Sequence, residues 1–353
     1  MPHMCIPTPV KDIFSFTISM SLLCCIYKLL LSLINMFGLS MAQTCRKSYS
    51  NLFDAHRLLY LKKSGFAFPH DVSRHVMTFH KKRFVIPGHN GSAMRRLPDV
   101  LIIGAKKCGT RALLEFLRVH PSVRAAGPEV HFFDRFYHRG LSWYRSQLPP
   151  RLEGQVTVEK TPAYLVAPGV PQRVAKHLPD VRLLLVVRDP VSRALSDYAQ
   201  SLSKHGGTHK KSFEDLAFVN VTTGLVNSDW GPISGGLYVR HLQRWLDYFP
   251  RTSFHIIDGE QLVHDPATEL AQIYFQEFLG LRRIISDRHF YFNATKGFPC
   301  LVKRERTGRP HCLGSSKGRP HHELNEATLQ TLKDFYRPFN FKFYRMVGQK
   351  FHW

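Results

Sequence analysis

The stretch spanning residues 99–120, DVLIIGAKKCGTRALLEFLRVH, constrains this chain more than any other. An apolar run, residues 100–103, ends at Gly104. A short basic turn follows, and then a helical pattern begins with Leu113, Leu114, Phe116 and Leu117 on one face. The order is strand, turn, helix. A buried parallel strand that delivers a glycine-containing turn to a helix start aims backbone N–H groups and the positive helix end at one spot, which suits an anion. Lys106, Lys107 and Arg111 make phosphate or sulfate the anion to expect.

The P-loop of nucleoside triphosphatases, G-x-x-x-x-G-K-[ST], is the natural comparison. Here Gly109 is followed directly by Thr110 and the lysines come earlier, so the cation that reaches a γ-phosphate is missing from its place. A nucleotide with a shorter 5′ group fits better. The same residues also suit a plain helix start, with Thr110 as the cap and the lysines solvated.

At 353 residues the chain can hold one domain of about 250 residues plus appendages. A net charge of +23 suits a polyanion or an acidic membrane face without choosing between them. Residues 13–42 are apolar apart from Lys28, and exceed the ~20 residues that span a bilayer. They are expected to form a signal anchor behind a cytosolic tail, 1–12, and before a stem, 43–97. A cleaved signal peptide competes with that reading. Lys11 before the segment and Arg46 and Lys47 after it leave the orientation open. Cys300 and Cys312 read as a disulfide in an oxidising lumen, and sequons at Asn90, Asn220 and Asn293 agree with that compartment.

Further along, Glu129 and His131 stand two residues apart in a segment expected to be extended. That spacing puts both on one side, with Val130 turned to the core. A general base beside an orienting imidazole is one reading, and a surface Glu beside a half-buried His is the other. Residues 156–160 read as a strand ending at Lys160. Residues 181–187 read as a buried strand ending at Arg188, with Ser196 two helical turns beyond. Arg188 therefore falls at the carboxyl end of a strand, where open α/β sheets bind ligands, although a salt bridge to Asp189 would also explain it. Helices are expected over 171–178, 191–202, 236–249, 266–279 and 324–336, and a strand over 254–258. This alternation predicts a mostly parallel sheet flanked by helices.

Together these segments resemble a known family. From about Pro98 to Trp353 the chain resembles the heparan sulfate glucosamine 3-O-sulfotransferases. The resemblance is carried by LIIGAKKCGTRALLEFL, EVHFFD, TVEKTPAY, LLLVVRDPVSRALSDY, FYFNATKGF and CLGSSKGRPH. It implies a P-loop-like sulfotransferase fold in a single catalytic domain, 98–353, lumenal in the Golgi membrane behind a type II anchor. It also implies the donor 3′-phosphoadenosine 5′-phosphosulfate, a heparan sulfate acceptor, and no required metal. Lys106, Lys107, Cys108, Gly109, Thr110 and Arg111 look like the loop for the donor's 5′-phosphosulfate. Arg188 and Ser196 look like its 3′-phosphate pair, and Lys317, Gly318, Arg319, Pro320 and His321 like a loop closing over the nucleotide.

Glu129 looks like the catalytic base, with Lys107 and His131 beside the reaction. Val130, Phe132, Phe133, Asp134 and Arg135, then Lys160, Thr161, Pro162 and Ala163, and finally Trp245 and Leu246, look like acceptor-facing positions. The chain departs from the family at Cys108, where a second glycine is the pattern. Its Phe298-Pro299-Cys300 segment and its ending are more similar to members that act beside 2-O-sulfated iduronate. A catalytically silent heparin-binding membrane protein is the alternative. Nucleic-acid binding would explain the charge alone, and the chain carries no motif for it.

Overall fold

The computed structural model describes residues 92–204, 211–274, 278–303, 309–314 and 322–353, within the compact unit Lys82–Trp353. The expected anchor at 13–42, nearly all of the stem and the loop Lys317 to His321 lie outside the described residues. Among the described residues no helix is long and apolar enough to cross a membrane.

Five parallel strands form the centre: β1 Val100–Gly104, β2 Val123–Ala125, β3 Val156–Lys160, β4 Arg182–Val187 and β5 Phe254–Asp258. Their order is β2-β3-β1-β4-β5. Every residue of β1 is buried, as is all of β4 except Arg182, because helices cover both faces of an all-parallel sheet. Register pairs Ile102 with Lys160 on one side and with Leu184 on the other. The chain winds from β1 to β2 and β3 in one direction, then crosses to β4 and β5 in the other. That reversal opens a crevice at the carboxyl ends of β1, β3 and β4.

The longer helices are α1 Thr110–Leu117, α2 Gly140–Gln147, α3 Val170–His177, α4 Pro190–Lys204, α5 Tyr238–Leu246, α6 Pro266–Tyr274 and α7 Glu326–Val347. Asp189 starts α4 by accepting from the Ser192 N–H at 2.9 Å, which settles its side chain as a helix cap rather than the partner of Arg188. The last helix corrects the expected stop at residue 336. It runs 22 residues through Pro338, because Leu332, Tyr336, Phe343 and Val347 are buried on both sides of the proline and hold the two halves in line. A hairpin, β6 Phe290–Asn293 with β7 Phe298–Leu301, carries Cys300, which is bonded to Cys312 across a Cα–Cα distance of 4.6 Å.

Candidate functional site

The turn after β1 is shaped by two left-handed residues, Lys107 (φ 75°) and Gly109 (φ 102°). Gly109 is the position that demands glycine, and the chain keeps it; Cys108 is not among the positive-φ residues. Gly109 also occupies the N-cap of α1, which has no side-chain cap, so the reading of Thr110 as the cap does not hold. The first N–H groups of α1 are thus left to whatever the turn faces.

Cys108 turns its thiol into the core, 3.4 Å from the Tyr238 hydroxyl, which itself donates to the Arg188 carbonyl at 2.7 Å. Burial pushes the thiol up to about 11. The side chain that departs from the family pattern therefore ties the turn to the end of β4 instead of crowding an anion. A Cβ at Gly259, just past β5, would come within 2.7 Å of both the Cys108 and Val187 carbonyls, so the three strand ends close up only because that position is bare.

Basic groups collect around this turn. Lys106 Nζ lies 2.7 Å from Asp197 of α4, and Arg193, fully buried, donates to both Asp197 and the Lys106 carbonyl. Arg111 reaches Glu115 at 2.8 Å and the Gly127 carbonyl at 2.9 Å. Arg188 lies 3.5 Å from Glu260, not paired with Asp189. Lys107, Gly109, Arg188 and Ser196 all border one cavity of about 1340 Å³.

Glu129, His131, Arg135, Lys160, Pro162 and Ala163 border the same cavity. Glu129 Oε1 is 2.5 Å from Lys160 Nζ, and its Oε2 is 3.3 Å from His131 Nε2. Asp134 holds the opposite ring nitrogen, Nδ1, at 2.8 Å. Half-burial acts to raise the Glu129 pKa, but the hydrogen bond and charge of Lys160, and then His131, outweigh it and hold the carboxyl below its ordinary range.

The expected pairing of Glu129 with His131 is present, but the extended segment is not. His131 takes a left-handed φ of 52°, and residues 132–135 turn. Val130 faces the core as expected. Phe132 stacks on Tyr144 with centroids 4.3 Å apart, and Phe133 and Thr161 have no exposed surface. Trp245 is fully buried, with its indole N–H on the Leu165 carbonyl. The side chains of Val130, Phe132, Phe133, Thr161 and Trp245 are thus buried behind the wall. Leu246 is half-buried. Among the described residues no group of three or more His, Cys, Asp or Glu side chains could hold a metal ion.

The sulfotransferase domain family matches residues 97–351. Mouse heparan sulfate glucosamine 3-O-sulfotransferase 6 is 56% identical over 268 residues, 76% of this chain and 77% of its own length. Mouse heparan sulfate glucosamine 3-O-sulfotransferase 3B1 is 55% identical over 75% of this chain and 67% of its own. The chain belongs to the heparan sulfate glucosamine 3-O-sulfotransferase family. A sulfotransferase from Alicyclobacillus acidocaldarius, 21% identical, has a TM-score of 0.54 over 72% of this chain and 98% of that one, which shows the fold alone.

In this member of the 3-O-sulfotransferase family, sequence reasoning missed one acidic residue in the cavity wall. Glu260 follows β5 and accepts from the Asp189 N–H at 3.1 Å. Burial and the neighbouring Asp258 push its carboxyl up to about 7. The rule that singled out Arg188, a polar residue just past the end of a parallel strand, points equally to Glu260. Lys204, Lys296 and His311 also border the cavity, brought there by a helix end and the disulfide-linked hairpin, which no local pattern announces.

Proposed function

We propose that this chain transfers a sulfo group from 3′-phosphoadenosine 5′-phosphosulfate to the 3-hydroxyl of glucosamine in heparan sulfate. The observation that carries the reading is Glu129, ionised and aimed by Lys160 and His131, on the wall of a cavity that the basic turn and open helix end of α1 also border. The acceptor class rests on the relatives, which are named for it.

The donor fits the residues present. The cavity is bordered by Lys107 and the start of α1, whose N-cap has no side-chain partner, and by Arg188 and Ser196. Cationic and N–H-rich groups from two elements on one cavity suit a ligand with more than one anionic group. When bound, the donor supplies a sulfuryl group on a phosphate leaving group. Lys107 and the α1 N–H groups stabilise the negative charge that gathers on the departing oxygen. Glu129 accepts the hydroxyl proton as the sugar oxygen bonds to sulfur and the sulfur–phosphate oxygen bond breaks. The carboxylate is 39% exposed, which leaves the proton a path to solvent. Asp134 and His131 orient Glu129, and Lys160 holds its other oxygen.

Lys317, Gly318, Arg319, Pro320 and His321 are proposed to close over the nucleotide, and residues 13–42 to anchor the enzyme in the Golgi membrane with residues 98–353 lumenal. The Cys300–Cys312 bond supports an oxidising compartment. The +23 charge suits a sulfated polysaccharide. The test is transfer of labelled sulfate from donor to heparan sulfate by the full chain, followed by disaccharide analysis. Glucosamine 3-O-sulfate beside 2-O-sulfated uronate supports reaction and acceptor preference together; heparin binding without transfer supports the silent binder.

A further inference from the structure

Behind the cavity wall, consecutive backbone N–H groups are bonded to hydroxyls gathered around one buried carboxylate. Glu159 is the residue before Lys160 on β3, and it has no exposed surface. The Val130 N–H is a polar neighbour that favours its charged form. The Thr161 hydroxyl donates to its Oε1 at 2.5 Å and accepts from the His131 N–H at 3.3 Å. The Tyr164 hydroxyl, a polar neighbour that favours the charged form of Glu159, accepts from the N–H groups of Phe132 and Phe133 at 3.0 and 3.4 Å. Tyr144 donates to Oε2 at 3.3 Å.

The donor set suits a carboxylate. The Thr161 and Tyr144 hydroxyls donate to its two oxygens, both of which are acceptors in a carboxylate. Because the Thr161 hydroxyl points its proton at Glu159, its lone pairs are left for the His131 N–H. The left-handed turn at His131 is what swings successive amides to one side, the concave arrangement that backbone uses to grip an anion. Here the anion belongs to the protein. None of Glu159, Thr161, Tyr144 and Tyr164 borders the cavity, and nothing in the transfer step uses them.

We infer that Glu159 is a positioning residue for sulfuryl transfer: it holds the backbone from Val130 to Phe133, and so fixes where the Glu129 carboxylate and the His131 ring stand. This rests on the reading of Glu129 as the base. Lys160, on the neighbouring position of the same strand, then meets a carboxylate whose backbone is already tied to that strand. One strand thus supplies both the cation that touches the base and the anion that anchors its main chain.

The test compares the full chain with Glu159→Gln, Glu159→Met and Tyr164→Phe, reading amide hydrogen exchange over residues 128–136 alongside kcat and the donor KM. In Glu159→Met the exchange of this stretch should quicken by about tenfold or more while β1 and β4 stay protected. Its kcat should fall on the order of 100-fold at unchanged donor KM, the scale of a small misplacement at a reacting centre. Glu159→Gln, which keeps an acceptor for Thr161, should recover most of both. Tyr164→Phe should release Phe132 and Phe133 alone, with a smaller fall in kcat; if the Met variant does not fold, this variant decides. Wild-type exchange over 128–136 in Glu159→Met, or in Tyr164→Phe, overturns the inference. So does a kcat that falls only in proportion to the folded fraction. A wild-type chain that transfers no sulfate overturns the proposed function instead, and the exchange measurement still decides whether Glu159 holds the segment.

Discussion

Lys160 Nζ lies 2.5 Å from one oxygen of Glu129, and the other oxygen faces His131 Nε2 at 3.3 Å. Both contacts favour the charged carboxylate and outweigh the half-burial that opposes it. The base form therefore survives to lower pH than an ordinary glutamate's, and activity on the acid side is lost as pH falls through this depressed value. Lys160→Met removes the larger of the two stabilising partners and leaves the burial. The acid limb of the kcat profile should move to higher pH, which a rate–pH profile of the two proteins reads directly. An unmoved limb would mean that Lys160 does not set the ionisation of the base.

Glu159 carries the opposite shift. Burial raises its carboxyl to about 7, against the hydroxyl donors that favour the charged form. A raised value contributes stability that is present below the unfolded carboxylate pKa and lost as pH rises through about 7. Glu159→Gln has no such titration. The wild type should therefore gain on Glu159→Gln by up to about 3 kcal/mol as pH is lowered from 8 to 5. Thermal unfolding of both proteins across that range checks it, and parallel curves would contradict it.

Cys108 is expected to be inert. Its thiol is buried against Tyr238 and pushed up to about 11, so almost no thiolate exists at neutral pH. A thiol-directed alkylating agent should leave Cys108 unmodified in the native protein and modify it on unfolding. Cys108→Gly should lower stability by about 1–2 kcal/mol, through lost packing and added backbone freedom. Affinity for the donor's nucleotide product should change only a few-fold, because the side chain points into the core.

Much of this was legible in the sequence, for physical reasons that differ by element. β1 and β4 stand out because an interior parallel strand is buried on both faces and must be apolar throughout. Arg188 follows from the rule that ligands gather at strand carboxyl ends, and the same rule would have found Glu260 had it been applied after β5. The Glu129–His131 contact was visible as a two-residue spacing, yet it arises through a left-handed His131 that no spacing shows. The stop expected at 336 fell short because the buried side chains on either side of Pro338 hold α7 together across it. Trp245, placed facing the acceptor by the resemblance alone, has its side chain in the core. The amides held beside Glu159 could not be read at all, since they are bonded through the hydroxyls of Thr161 and Tyr164 rather than by any local pattern.

The most direct measurement is Glu129→Gln, assayed for sulfate transfer to heparan sulfate and, by calorimetry, for binding of 3′-phosphoadenosine 5′-phosphate. The account predicts turnover reduced by about 10²–10⁴-fold, the range for loss of a general base, with nucleotide affinity near that of the wild type. Equal loss of both would make Glu129 a structural residue of the cavity, and retained turnover would remove it from the reaction.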